Sequence, residues 1–146
     1  LQGHHAIAYE LSFKTSSIEN QILISTATIW GNDVKGALNL YLDDGQPVVA
    51  ISKTKTLKLN TAKLNDKQWH TIKVSMPHDN SKLSDVTVAI DGKKVSTLLT
   101  NGDTNIRLNQ AMRVAIGGKG YGHNAMKNVP AINFTGLIDN VSLWTQ

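Results

Sequence analysis

Apolar and polar side chains alternate with a period of two in segment after segment of this chain, and that pattern confines most of it to strands. Ile72, Val74 and Met76 fall on one side of a segment that carries Thr71, Lys73 and Ser75 on the other. Val86, Val88 and Ile90 make a second such row, and Leu38, Leu40 and Leu42 a third. Period two belongs to the half-buried β-strand, because successive side chains leave a pleated backbone on opposite faces. Turn signals separate the rows at the short intervals of an all-β sandwich. Asp43-Asp44-Gly45 and Asp91-Gly92 read as tight hairpins, since Gly accepts positive φ without steric cost and Asp tolerates it. Asn101-Gly102 and Gly31-Asn32 mark looser connections. The candidate strands are 6–14, 21–29, 37–43, 46–52, 55–59, 69–76, 85–91, 94–99, 112–117 and 133–144. No window carries the apolar spacing of an amphipathic helix.

In the last of these strands Phe134, Gly136 and Ile138 oppose Thr135, Leu137 and Asp139. Apolar residues on both sides predict a central strand, buried on two faces. The longest irregular stretch is 117–132, GGKGYGHNAMKNVPAI, and with 30–36, WGNDVKG, it is expected to form loop at one rim of the sandwich. Loops held by a rigid scaffold are where binding residues concentrate.

A chain of 146 residues suits one domain, 1–146, around one core. It begins Leu1-Gln2-Gly3 without Met, which suggests a module excised from a larger protein; His4 and His5 read as tag or linker remnant as readily as native sequence. No apolar run reaches the ~20 residues that span a bilayer, and no basic-then-apolar export signal is present. There is no cysteine, so thiolate catalysis, disulfides and Cys-ligated zinc are excluded together. Fifteen Lys and Arg against eleven Asp and Glu leave a net charge of +4. Such an excess is ordinary for a soluble surface, and it also suits an anionic partner such as a sialylated, uronic or sulfated glycan. Nucleic acid is not indicated, because the chain has no recognition-helix pattern, no paired RNA-binding aromatics and no long block of Lys. Asn133-Phe134-Thr135 and Asn140-Val141-Ser142 have the form of N-glycosylation acceptors but fall inside a strand expected to be buried.

Four segments also carry a family resemblance. LNDKQWHTIKV (Leu64 to Val74), VTVAIDGKKV (Val86 to Val95), MRVAIGG (Met112 to Gly118) and FTGLIDNVSLW (Phe134 to Trp144), in that order and spacing, resemble the laminin G-like family of concanavalin A-like jelly rolls. AYELSFKTSS (Ala8 to Ser17) and ALNLYLDDGQPV (Ala37 to Val48) look like the early strands of that family. The resemblance implies an all-β fold, an antiparallel β-sandwich jelly roll. It implies a structural, core role for Trp69, and Trp144 at the end of the last strand is expected to pack as well. Animal members usually carry a disulfide near the C-terminus; its absence beside FTGLIDNVSLW favours a bacterial source.

Catalysis has little to stand on. Glycoside hydrolysis needs two carboxylates flanking the bond, and jelly-roll glycanases place them as Glu-x-Asp-x-x-Glu on one strand. Glu10 and Glu19 are the only Glu here, and no Glu-x-Asp occurs. Asp43 and Asp44 are adjacent and are explained by the turn. There is no Gly-x-Ser-x-Gly elbow, and no His-x-x-x-His or His-Glu-x-x-His spacing for zinc. The run Gly117 to Gly122 follows a strand without opening a helix, so it lacks the N-terminus that holds phosphate.

Binding has more. Trp30, at a predicted strand end beside Gly31-Asn32-Asp33, and Tyr121 and His123, in the Gly-rich loop, are candidates to stack on a sugar ring while neighbouring amides and hydroxyls bond its hydroxyls. Tyr41 lies between Leu40 and Leu42, pointing away from that row toward the concave face. The family often binds one Ca²⁺ at the rim through acidic or amide side chains and carbonyls; the residues offered here are Asp33, displaced by about three positions from the family's acidic ligand, and Asn124 or Asn128. Sialidase-associated lectin modules share this jelly roll, and ILISTATIW and FTGLIDNVSLW are similar to that group. Arg107 and Arg113 are the only arginines, and Arg113 is the candidate to grip a sialate carboxylate, although an ordinary solvent-exposed strand Arg is the preferred explanation. Together these features point to a non-catalytic carbohydrate-binding module of a larger secreted or surface bacterial protein. A protein–protein adhesion or structural domain is the alternative.

Overall fold

The computed structural model describes residues 6–28, 38–52, 54–106, 108, 112–118 and 131–145. Among them run twelve strands: β1 (Ile7–Lys14), β2 (Gln21–Thr28), β3 (Asn39–Asp43), β4 (Gln46–Ala50), β5 (Thr56–Leu59), β6 (His70–Ser75), β7 (Thr87–Ile90), β8 (Lys93–Lys94), β9 (Thr97–Thr100), β10 (Met112–Ile116), β11 (Ile132–Asn133) and β12 (Leu137–Thr145). One 3₁₀ turn, Leu83–Asp85, precedes β7. The strands form two sheets. Five are ordered β12-β1-β6-β7-β8, and seven are ordered β10-β2-β3-β4-β5-β9 with β11 beside β2. All pairings are antiparallel except β11 with β2, which is parallel.

The sandwich is built from the alternation read in the sequence. Tyr9, Leu11 and Phe13 on β1, Ile72 and Val74 on β6, and Val88 and Ile90 on β7 face Leu40 and Leu42 on β3, Val49 on β4 and Leu57 on β5 in one buried cluster. Each such side chain contributes roughly 1.5–3 kcal/mol when removed from water. A hydrogen bond crosses this core: the buried Tyr9 hydroxyl donates to the Leu38 carbonyl at 2.9 Å. Burial pushes the Tyr9 phenol far above its ordinary range, so it stays a neutral donor. Both predicted tight hairpins are present. Asp44 and Gly45 take φ of 46° and 82°, and Asp91 and Gly92 take 51° and 80°, the two positive values of a type I′ turn.

Two predicted strands are each divided between the sheets. Segment 94–99 separates into β8, which pairs with β7, and β9, which pairs with β5, so the chain changes sheet at Val95 and Ser96. Segment 133–144 likewise yields β11 in the seven-stranded sheet and β12 in the other. The crossing occurs at Gly136, whose φ is 144° and where a Cβ would lie 2.3 Å from the Lys14 carbonyl oxygen. Only Gly fits there. The expectation of a central strand is corrected too: β12 is an edge strand, and its Leu137, Val141, Leu143 and Trp144 are exposed. Apolar residues on both faces gave the signature of a buried strand without the burial. Both formal glycosylation acceptors are consequently at the surface, with Asn133, Thr135, Asn140 and Ser142 all exposed.

Gly136→Ala is expected to lower unfolding stability by at least roughly 2 kcal/mol, because a strained φ coincides with a backbone clash. Gly92→Ala, with open space around its Cβ position, is expected to cost only about 1 kcal/mol for its left-handed backbone. Urea unfolding of the two variants checks the ranking.

Candidate functional site

The outer face of the seven-stranded sheet is set by the residues that alternate with the core row. On β3 these are Asn39 and Tyr41, paired with Ala50 and Val48 on β4. Tyr41 is 8% exposed and sits in a small second cluster with Ile22, Val48, Ala50 and Ala131. Burial, and after it the Asp43 charge, raises the Tyr41 pKa, so the phenol is neutral. Its ring is closed over by neighbours and offers little flat surface for stacking. Asn39, beside it in the same outward row, is completely buried. Its Oδ1 accepts the Thr26 N–H at 2.7 Å, and the Leu38 N–H donates to Thr26 Oγ1 at 2.9 Å. The Asn39 Nδ2 is buried with no acceptor among the described residues. A buried donor left unpaired costs about 1–3 kcal/mol; with no accessible surface, the Asn39 side chain is part of the packing beneath the face. Ser25 on β2 donates to the Gly118 carbonyl at 3.1 Å, tying the end of β10 to the sheet.

Of the residues picked from the sequence, Tyr41 is on this face, and the Arg113 backbone pairs with Ala27 at the β10 edge, two strands from β3. Trp30, Asp33, Tyr121, His123 and Asn124 lie outside the described residues, as do Asn128 and Arg107. Asn39 was missed, although the alternation that turned Tyr41 outward turns Asn39 outward with it.

The two tryptophans expected in the core are at the surface. Trp69 and Trp144 are each 48% exposed. The strand begins at His70, which pairs with Phe13 and packs on its ring at 6.1 Å between centroids. Trp69 therefore falls one residue out of the core register. Trp144 pairs with Ala8 on the outward row of β1, with the Lys73 ammonium 5.2 Å from its ring centre. A depression of ≈ 320 Å³ on this sheet, lined by Lys73, Ser75, Thr87, Val88, Ala89 and Lys94, is ordinary solvated lysine surface.

Carboxylates near one another serve structure. Asp44 pairs with Lys63 in the first hairpin. His70 is clamped between two acids, its Nδ1 2.7 Å from Asp91 and its Nε2 2.8 Å from Asp66. Burial alone would lower the His70 pKa; the hydrogen bonds to Asp91 and Asp66 outweigh it and raise the value. The His70 hydrogen bond, with the Gln68 N–H, lowers Asp66, and the His70 bond lowers Asp91 against the effect of burial. A charged imidazolium can donate from both nitrogens, whereas the neutral ring can donate from only one. Among the described residues no three His, Asp or Glu converge as a metal site.

A laminin G domain model matches residues 13–146. The chain belongs to the laminin G domain family. Two laminin structures share its fold at 17% identity and a TM-score of 0.65: domains LG4-5 of the mouse laminin α1 chain, covering 99% of this chain, and the LG1-3 region of the laminin α2 chain, covering 98%. This chain spans 37% and 28% of those two chains. The CBM40 of the Ruminococcus gnavus IT-sialidase, solved bound to α2,3 sialyllactose, is similar at 17% identity and a TM-score of 0.69, covering 97% of this chain and 76% of its own. No curated protein matches the sequence. The jelly roll implied by the sequence is thereby established. Domains of this kind are generally non-catalytic, extracellular parts of larger proteins. No helix among the described residues is long and apolar enough to cross a membrane.

The His70 clamp gives a signed pH effect. A raised folded pKa means that its stabilisation is complete below the unfolded value of about 6.5 and is lost as pH rises through the folded value. The melting-temperature advantage of the native protein over His70→Gln should shrink between acidic and alkaline pH, read by calorimetry across that window. The lowered Asp66 and Asp91 act oppositely, their contribution fading only as pH falls below about 3.8.

Proposed function

We propose that the chain is a non-catalytic carbohydrate-binding module of a larger secreted or surface-attached bacterial protein, holding that protein against glycan. The observation that carries this reading is the laminin G-like sandwich itself, which has the fold of a CBM40 solved bound to α2,3 sialyllactose. Trp30, Tyr121 and His123 from the rim segments supply stacking and further hydrogen bonds, and Arg113 grips the carboxylate of an anionic sugar. The fold shared with a sialyllactose-bound CBM40 supports the choice of glycan class. Oxygen donors of Asp33 and Asn124 match a hard cation such as Ca²⁺ in kind while bringing one formal charge.

A second reading, protein–protein adhesion or a structural role, is favoured by one feature: the β12 edge, unpaired on its outer side among the described residues, with its exposed Leu137, Val141, Leu143 and Trp144.

A glycan array probed with the domain, with Ca²⁺ and with EDTA, tests the first reading. Binding to a defined class headed by sialylated glycans is expected, with loss in EDTA if Asp33 and Asn124 hold metal. Arg113→Ala should weaken α2,3-sialyllactose binding by about tenfold or more in calorimetric titration, the loss of a charge-assisted pair worth ~1.5–3 kcal/mol. A folded domain that is silent on every glycan contradicts the reading and turns attention to the β12 edge.

A further inference from the structure

Where β12 passes β1, its Asn140 and Val141 stand opposite the single Leu11, between the pairs Ser12 with Asp139 and Glu10 with Ser142. This is a β-bulge, and Asn140 takes a left-handed backbone with φ of 51° to make it. In a regular strand consecutive residues point to opposite faces. Here Asp139 and Asn140 both border one depression of ≈ 220 Å³, together with Ser12 and Trp69. The Asn140 N–H donates to Asp139 Oδ1 at 2.8 Å, which fixes the carboxylate. The Ser12 and Thr71 hydroxyls are 2.8 Å apart beside it, holding that side chain in place.

The depression thus combines half of an exposed indole with a carboxylate, an amide and a hydroxyl, on strands and not on loops. Its volume is below the ~300–1,000 Å³ of sites for drug-sized ligands, so it suits a single ring. An indole face beside convergent hydrogen-bonding groups matches a sugar, which has an apolar ring face and equatorial hydroxyls. Asp139 is the one charged residue among the described residues of the lining. It accepts charge-assisted hydrogen bonds from hydroxyls and repels a sugar carboxylate or sulfate.

We propose that Trp69, Asp139, Asn140 and Ser12 form a second carbohydrate subsite, specific for an uncharged sugar ring and independent of the seven-stranded face. The indole stacks on the ring, Asp139 and Asn140 take neighbouring hydroxyls, and the bulge exists to put those two side chains on one side.

The test is a ¹⁵N NMR titration of the whole domain with lactose, maltotriose, cellotriose and mannotriose. Trp30, Trp69 and Trp144 give three indole N–H signals, assigned by single Trp→Phe variants. The expected result is a saturable shift of the Trp69 indole and the Asn140 amide with at least one of these sugars and not with sialic acid alone. Asp139→Asn and Trp69→Ala, followed at the Asn140 amide, should each weaken binding by about tenfold, with the remaining spectrum unchanged as evidence of folding. The proposal is overturned if no neutral sugar moves Trp69, if Asp139→Asn and Trp69→Ala bind as the native protein does, or if only the Trp30 signal responds. That last outcome would leave the rim reading standing while removing this one.

Discussion

The structure depends on two sheets burying one face each in a shared core, with period-two alternation as the device that does it. Tyr9, Leu11 and Phe13 meet Leu38, Leu40 and Leu42 across that core, pinned by the Tyr9 hydroxyl on the Leu38 carbonyl. Once one parity is committed to the core, the other is committed to the outer faces. A one-residue slip would invert both sets. The chemistry of the outer faces is therefore a consequence of packing: Asn39 and Tyr41 face outward because Leu40 faces inward, and Ser12 because Phe13 does.

The same logic explains what could be read from the sequence and what could not. The Leu38, Ile72 and Val86 rows and both I′ turns were legible because they rest on local pattern and on residues that tolerate positive φ. Gly136 and the Val95-Ser96 crossing were not, because a strand that changes sheet keeps its propensity on both sides of the change. The family's structural role for Trp69 misled, since the core register here is taken up by His70 against Phe13. Of the candidate binding residues, Tyr41 is turned away from the core row as the alternation implies, but its burial depends on Ala131, ninety positions along the chain. Asn39 required knowledge of what its amide fails to meet. The Asp139–Asn140 pair required the bulge, which no sequence period encodes.

Recognition by a rigid sheet face has a cost and an advantage. Shallow sites bury little of a sugar, so a single module binds weakly and gains strength by repeated display on a larger protein. Side chains held on strands lose little further freedom on binding.

The most direct measurement is a crystal structure of the domain grown with α2,3-sialyllactose. The expected result is sialyllactose bound at the rim of the seven-stranded sheet with its carboxylate on Arg113. A structure at saturating sugar with no sialyllactose on the domain would contradict that reading.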